Sequence, residues 1–220
     1  MELPQAIIYD MDGTLFDSFK TGLACALDVA RQYGLPVNDE IIMQLSRAWG
    51  MPTDQLVKQC WPGVNFVPFQ RAFNELNILE KVHLFPGVEK TLSALYYRGI
   101  RQGIYTSRRK SGTDWLLEAR GIKKYLSVVK CRDDVKKGKP FPEGLNQIVD
   151  ELRRIGISRH RTVYVGDGPV ADWECARAAG IRFLAVVESK NITREDFLAR
   201  GVPDEDIINS VRDIPSRFKL

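Results

Sequence analysis

The chain has 220 residues, of which 44% are hydrophobic and 27% are charged, with 17 glycines and 11 prolines. These values are typical of a globular domain with a modest insertion, and they exclude a disordered tail, a collagen and a linker. The net charge of +4, from 32 basic and 28 acidic residues, is too small to indicate a nucleic-acid partner but is compatible with a small anionic ligand.

The N-terminal residues predict a cytoplasmic protein with no membrane partner. Residues 1–5 contain no Lys or Arg, and the apolar run that follows ends at Asp10, so we expect neither a secretion signal nor a transmembrane segment there. The four cysteines form no Cys-x-x-Cys pair, so we expect reduced and mostly buried thiols. Because the chain has only two histidines, we expect carboxylates to carry any chemistry.

Short apolar runs along the chain predict five buried strands. They cover residues 6–9, 102–105, 126–129, 162–165 and 183–187. The helical patterns between the later strands each end before a glycine, which is the residue that a left-handed helix C-terminus prefers. These glycines are Gly99, Gly121, Gly156 and Gly180. Because strand and helix alternate, the sequence predicts an α/β fold with a Rossmann-like, doubly wound and mostly parallel sheet.

Residues 19–83 interrupt this alternation with helical periodicity alone, as in Leu23, Leu27 and Ala30. We therefore predict a helical insertion over 19–83 and a sheet domain formed by 1–18 and 84–220. The aromatic residues of the insertion are predicted to pack against one another within it: Trp61, Phe66, Phe69 and Phe73. Residues 1–83 hold 6 basic and 10 acidic residues, so the basic surplus belongs to the sheet domain.

Two carboxylates, Asp10 and Asp12, follow the first predicted strand. Residues two apart in an extended backbone point the same way, and open α/β sheets bind ligands at this edge. Such a pair suits a hard cation, and one carboxylate can attack phosphorus while the other moves a proton. An acidic turn that closes a strand is the alternative. A calcium loop is excluded, because Thr21 stands where its twelfth residue must be glutamate.

Polar side chains also follow the later strands. The hydroxyls of Thr106 and Ser107 can donate to phosphate oxygens, and Lys139 can neutralise one as a point charge. Asp167 closes another strand, and Asp172 follows in the next helical pattern, where an acid can hold a metal. Each feature also has an ordinary explanation as a turn former, a helix cap or a solvated loop.

The order of these elements resembles the haloacid dehalogenase superfamily. The four motifs of that superfamily appear as Asp10–Ser18, Thr106–Ser107, Gly138–Pro140 and Gly166–Asp172. The resemblance covers roughly the whole chain, and the helical insertion is similar to the cap that phosphoglycolate-phosphatase-like members carry between motifs one and two.

The resemblance implies that Asp10 is the nucleophile that forms an aspartyl-phosphate. It implies that Asp12 protonates the leaving group and then activates water. It further implies a Mg²⁺ ion held by Asp10, the backbone carbonyl of Asp12 and Asp167, with Asp172 in support. Thr106, Ser107 and Lys139 would grip the phosphoryl group.

The function that follows is a magnesium-dependent phosphatase acting on a small phosphate ester. The presence of Asp12 favours phosphoryl chemistry, because the dehalogenase branch lacks this second acid and needs no metal. A sugar phosphomutase shares every motif and remains an alternative. The alternative from another class is a non-catalytic ligand-binding or regulatory protein, which would normally lack the nucleophile or the acid.

The sequence departs from the usual motifs at two places. Gly168 stands where Ser or Thr is common, and Arg108–Arg109 follows motif two where a single Lys is usual. We expect neither departure to touch the catalytic machinery. In the cap, Arg47 and Trp49 lie where related enzymes place a substrate-selecting loop, so Arg47 is expected to meet a carboxylate or second phosphate of the substrate. The alternative is an exposed Arg47 and a Trp49 buried in the cap's own core.

Overall fold

A computed structural model describes residues 3–47, 53–76, 78–189 and 192–219. The chain divides into two compact units. The first holds the residues up to Phe16 and those from Leu84 onward, and the second holds Asp17–His83. The assignment of these units as catalytic core and cap stays a prediction.

The described part of the first unit contains a six-stranded sheet in the order β3-β2-β1-β4-β5-β6, and every neighbouring pair is parallel. The strands are β1 (Ala6–Tyr9), β2 (Arg101–Tyr105), β3 (Val128–Lys130), β4 (Thr162–Gly166), β5 (Arg182–Val186) and β6 (Ile207–Ile208). The predicted Rossmann-like, doubly wound fold is confirmed. The sequence analysis missed β6, because a two-residue edge strand is too short to show a periodic pattern.

Strand β1 lies between β2 and β4, with Ala6 in register with Arg101 on one side and Thr162 on the other. All four of its residues are buried, as expected of a central parallel strand that is covered on both faces. The carboxyl ends of β1, β2 and β4 therefore meet at one edge of the sheet, and three of the four motifs follow these ends, while Gly138–Pro140 lies between β3 and the next α-helix.

Helices connect the strands of the first unit. They are α6 (Val88–Tyr97), α7 (Lys110–Ala119), α8 (Glu143–Arg154), α9 (Ala171–Ala179), α10 (Arg194–Leu198) and α11 (Ile214–Phe218). The four predicted helix-ending glycines follow α6 to α9, and each has a positive φ between 62° and 83°. The helix ends predicted from these glycines are confirmed to within one or two residues.

The second unit is helical in the residues that the structure describes. Its helices are α1 (Ser18–Gln32), α2 (Asp39–Arg47), α3 (Thr53–Cys60), α4 (Phe66–Glu75) and α5 (Ile78–Lys81). Trp61 and Phe69 are buried in its core with ring centroids 5.5 Å apart, and Phe66 and Phe73 pack against them half-buried. This confirms the predicted packing of the aromatic residues.

The four cysteines are free and buried, as predicted. Within the described ranges, no helix combines the length and the apolar character needed to cross a bilayer.

Candidate active site

Three carboxylates converge at the carboxyl edge of the sheet. Asp10 follows β1, Asp167 follows β4, and Asp172 lies in the first turn of α9. One oxygen of each lies within 4.8 Å of the others. Oxygen donors at this spacing suit a hard divalent cation.

Lys139 ties two of these acids together. Its Nζ lies 2.7 Å from Oδ1 of Asp10 and 2.7 Å from Oδ1 of Asp172, and its side chain is only 2% exposed. The rings of Tyr105 and Tyr164 each have their centroid 5.4 Å from the same Nζ. We call Asp10, Asp167, Asp172 and Lys139 the inner cluster. When ionised, these four groups carry a net charge of −2.

Burial dominates the electrostatics of the inner cluster. It raises the pKa of Asp10 from 3.8 to about 7, although the Lys139 ammonium opposes this shift. Burial, followed by repulsion from Asp10 and Asp172, also raises the pKa of Asp167 well above its usual value. For Lys139, burial lowers the pKa, but attraction to Asp10 and Asp172 outweighs it and the net shift is upward. A buried excess of negative charge is costly unless a cation compensates it.

Asp172 uses both of its oxygens within the protein. Its Oδ1 accepts from Lys139 and, at 2.7 Å, from the hydroxyl of Tyr164. Its Oδ2 accepts from the backbone amide of Gly168 at 2.8 Å. A Cβ at Gly168 would lie 2.9 Å from that Oδ2. The expectation that Gly168 does not touch the site residues is therefore wrong.

Gly13 makes room for Asp167. Its φ is +81°, and a Cβ there would lie 1.9 Å from Oδ2 of Asp167. The next residue, Thr14, donates from Oγ1 to Oδ1 of Asp167 at 3.2 Å. A glycine at this position allows the turn after β1 to approach the carboxylate that follows β4.

Asp12 lies outside the inner cluster and is paired with Arg108. The Nε of Arg108 donates to Oδ2 of Asp12 at 3.0 Å, and Nη2 donates to Oδ1. We call these two residues the outer pair. The side chains are 22% and 32% exposed for Arg108 and Asp12. The expectation that Arg108 does not touch the catalytic machinery is also wrong, because it binds the predicted acid.

The remaining predicted site residues are Thr106 and Ser107 in the first unit and Arg47 and Trp49 of the insertion. Thr106 is buried at the end of β2, where its Oγ1 accepts from the backbone amide of Arg108 at 3.1 Å, and Ser107 is exposed. Their binding of phosphate stays a prediction. Arg47 ends α2 in the second unit, and its side chain, like the whole of Trp49, lies outside the described residues.

Sequence reasoning missed three side chains that contact the predicted acids. Thr14 and Tyr164 bind Asp167 and Asp172, and Arg108 binds Asp12. Tyr164 stands two residues before Gly166 in a buried strand, and a buried tyrosine hydroxyl generally needs a partner. The signal for Arg108 was its departure from the usual motif.

The sequence matches one protein-family model and several known proteins. A model described as haloacid dehalogenase-like hydrolase matches residues 7–186. The phosphoglycolate phosphatase of Shigella boydii serotype 4 (strain Sb227) is 32% identical over 233 residues, covering 91% of this chain and 90% of that protein.

Two solved structures are also similar. A protein from Bacteroides fragilis, named provisionally as a haloacid dehalogenase-like hydrolase, is 25% identical with a TM-score of 0.79, covering 96% of this chain and 99% of its own. A protein from Thermotoga maritima, named provisionally as a beta-phosphoglucomutase, is 25% identical with a TM-score of 0.78, covering 98% of each chain.

Proposed function

The chain belongs to the haloacid dehalogenase-like hydrolase family, and from this membership we propose a magnesium-dependent phosphatase that hydrolyses a small phosphorylated metabolite. The predicted superfamily and the predicted class of phosphatase-like hydrolase are confirmed by the similarities to known proteins. The substrate, the metal and the covalent intermediate belong to the proposal. The observation that carries it is the inner cluster, where a partly buried Asp10 lies beside Lys139 and two further acids at the carboxyl end of the central strand.

The inner cluster fits a divalent cation by charge and by donor type. Its net charge of −2 would be balanced by one such ion. The atoms that it offers as metal ligands are carboxylate oxygens, which Mg²⁺ prefers. Asp10, Asp167 and the backbone carbonyl of Asp12 would hold the ion. Asp172 suits a supporting role, because its two oxygens already accept from Lys139, Tyr164 and Gly168. When bound, Mg²⁺ would supply the positive charge that lets an anionic ester approach the acids.

In the first chemical step, an oxygen of Asp10 attacks the phosphorus of the ester. The bond from phosphorus to the leaving oxygen breaks, and Asp12 gives that oxygen a proton. Asp12 then takes a proton from water, and the water oxygen attacks the aspartyl-phosphate. Inorganic phosphate leaves and the Asp10 carboxylate is regenerated. Lys139, Thr106 and Ser107 would hold the phosphoryl oxygens during both steps.

A sugar phosphomutase is the second candidate, favoured by the likeness to the Thermotoga maritima structure. A mutase returns the phosphoryl group to a sugar phosphate instead of to water. It therefore requires a sugar bisphosphate for sustained turnover, and a phosphatase does not.

Selection of the substrate by Arg47 and Trp49 of the second unit is part of the proposal. Replacing either by Ala should slow turnover of the physiological substrate and spare a small aryl phosphate. Equal losses with both substrates would assign these residues to packing. We also propose a cytoplasmic location, with a phosphate ester as the partner and neither nucleic acid nor membrane.

A phosphate-release screen over phosphorylated metabolites tests the proposed function directly. With magnesium, the protein should release phosphate from at least one small ester without added sugar bisphosphate. A chelator should abolish the release, and magnesium should restore it. Undiminished activity in chelator would overturn the metal requirement, and no release from any ester would overturn the phosphatase.

A further inference from the structure

The outer pair occupies both oxygens of the predicted acid. The Nε and Nη2 of Arg108 donate to the two carboxylate oxygens of Asp12, which is the bidentate (two-pronged) geometry of a guanidinium bound to a carboxylate. To deliver a proton, Asp12 needs one oxygen that carries hydrogen and faces the leaving oxygen of the ester. The closed pair presents both oxygens to Arg108 and favours the ionised carboxylate, so we expect Asp12 to take up and deliver a proton more readily once the pair has opened.

The main chain of Arg108 is fixed while its guanidinium is accessible. Its backbone amide donates to Oγ1 of Thr106 at 3.1 Å, and its carbonyl accepts from the amide of Arg132 at 3.0 Å. The side chain is 22% exposed, and within the described part of the chain its Nη1 has no hydrogen-bond partner. The guanidinium can therefore exchange one anion for another without a change in the fold.

The neighbouring arginine provides an internal contrast. The side chain of Arg109 is 84% exposed, and its Nη1 lies 3.9 Å from Oδ1 of Asp133. Of the two adjacent arginines, Arg108 alone is bound to a predicted catalytic acid.

A substrate with a second anionic group offers Arg108 a replacement for Asp12. In the proposed mechanism the phosphoryl group binds at Asp10 beside Lys139 and the leaving oxygen faces Asp12. The part of the ester beyond that oxygen would then lie next to Arg108, which is the partner of Asp12. A guanidinium binds a carboxylate or a phosphate with the same two-pronged geometry as it binds Asp12.

We propose that Arg108 is an exchangeable anion subsite. In the free protein it holds Asp12, and on binding it moves to a carboxylate or second phosphate of the substrate, which releases Asp12 for proton transfer. The substrate class is thus a small phosphate ester with a second anionic group. This inference rests on the proposed function and deepens it.

The test compares three esters with the same two-carbon chain: 2-phosphoglycolate, ethylene glycol bisphosphate and 2-hydroxyethyl phosphate. They carry a carboxylate, a second phosphate and a neutral hydroxyl. The wild-type protein should favour one or both anionic esters in kcat/KM. Arg108→Gln should lower kcat/KM for the favoured anionic ester on the order of 10- to 100-fold. It should lower kcat/KM for the neutral ester much less, because that ester offers Arg108 no anion to bind.

Two further variants keep the result interpretable. Arg109→Gln removes the adjacent charge and should change none of the three activities. Arg108→Lys keeps the charge without the two-pronged geometry, and should recover part of the loss. Equal losses for all three esters in Arg108→Gln, or no wild-type advantage of either anionic ester, would overturn the subsite while leaving the phosphatase intact. Failure to hydrolyse any ester, including an aryl phosphate, would instead overturn the proposed function.

Discussion

The inner cluster and the outer pair both join carboxylates to one cation, but they differ in burial. The side chains of Lys139 and Asp172 are 2% and 1% exposed, whereas those of Arg108 and Asp12 are 22% and 32% exposed. The inner cluster holds three acids for one ammonium, and the outer pair is balanced.

This difference suits the two sets of residues to different tasks. Burial, assisted by repulsion between the acids, raises the pKa of Asp10 and Asp167, and the excess of acids over ammonium groups favours a cation. This is why we propose the inner cluster as the site of the metal and of the phosphoryl group. The outer pair is accessible and electrically satisfied, so it is suited to exchange partners during turnover.

Apart from removal of the nucleophile itself, the largest effect is expected for Asp12→Asn in the outer pair. Losing general acid and base assistance should lower turnover by about 10²- to 10⁴-fold. The loss should shrink for an aryl phosphate whose leaving group needs little protonation. Steady-state kinetics with alkyl and aryl esters measures this difference, and an equal loss for both esters would contradict the role of Asp12.

Lys139→Met in the inner cluster should reduce stability. Without the ammonium, the buried Asp172 and the partly buried Asp10 and Asp167 lose their compensating charge, which should lower the free energy of unfolding by about 3–5 kcal/mol in metal-free protein. Urea denaturation measures this change. Lys136→Met is the matched control, because Lys136 lies on the same loop and is exposed. A loss no larger than in this control would show that the ion pairs of Lys139 contribute little.

The two sets should also differ in their response to pH. The pKa of Asp10 is raised in the folded protein from 3.8 to about 7. The folded state therefore binds this proton more tightly than the unfolded state, and the resulting stability is present below pH 4 and is lost as the pH rises through about 7. Metal-free protein should lose up to about 1.4 kcal/mol per pH unit over this window from this one group.

Denaturation midpoints between pH 4 and pH 8 check this slope. Asp10→Asn should reduce the slope and leave the part that the raised pKa of Asp167 contributes, and Asp12→Asn should keep it. An unchanged slope in Asp10→Asn would show that another group is responsible.

The smallest effect is expected for Gly168→Ser, which adds a Cβ 2.9 Å from Oδ2 of Asp172. The carboxylate must shift, so we expect a loss of about 1 kcal/mol in the free energy of unfolding. Gly112→Ser is the control, because a Cβ there makes only ordinary contacts at 3.6 Å or more. A thermal unfolding midpoint that does not fall relative to the control would show that Asp172 tolerates the shift.

Local pattern and strand order made much of this arrangement predictable. Asp10 and Asp167 each follow a buried apolar strand, and parallel strands bring their carboxyl ends to one edge, so the convergence of these acids could be expected. The helix ends followed from glycines. These features depend on residues that are close in sequence or on the regular geometry of the sheet.

The contacts that sequence reasoning missed depend on side-chain geometry across the fold. Arg108 and Asp12 are separated by 96 positions, and Thr14 and Asp167 by 153. No periodic pattern encodes which side chain of a loop turns toward a given carboxylate. The bond from Gly168 to Asp172 was missed for a different reason, because a backbone amide is available at any residue except proline.

Detection of a phosphorylated protein tests whether Asp10 is the nucleophile and Asp12 is the acid and base. Asp12→Asn and Asp10→Asn would each be mixed with magnesium and an aryl phosphate, quenched rapidly in acid, and measured by intact mass. Asp12→Asn should carry one phosphoryl group, because attack remains possible while hydrolysis of the intermediate becomes slow. Asp10→Asn should carry none, because an amide is a very poor nucleophile. A phosphoryl adduct that persists in Asp10→Asn would contradict the assignment of the nucleophile.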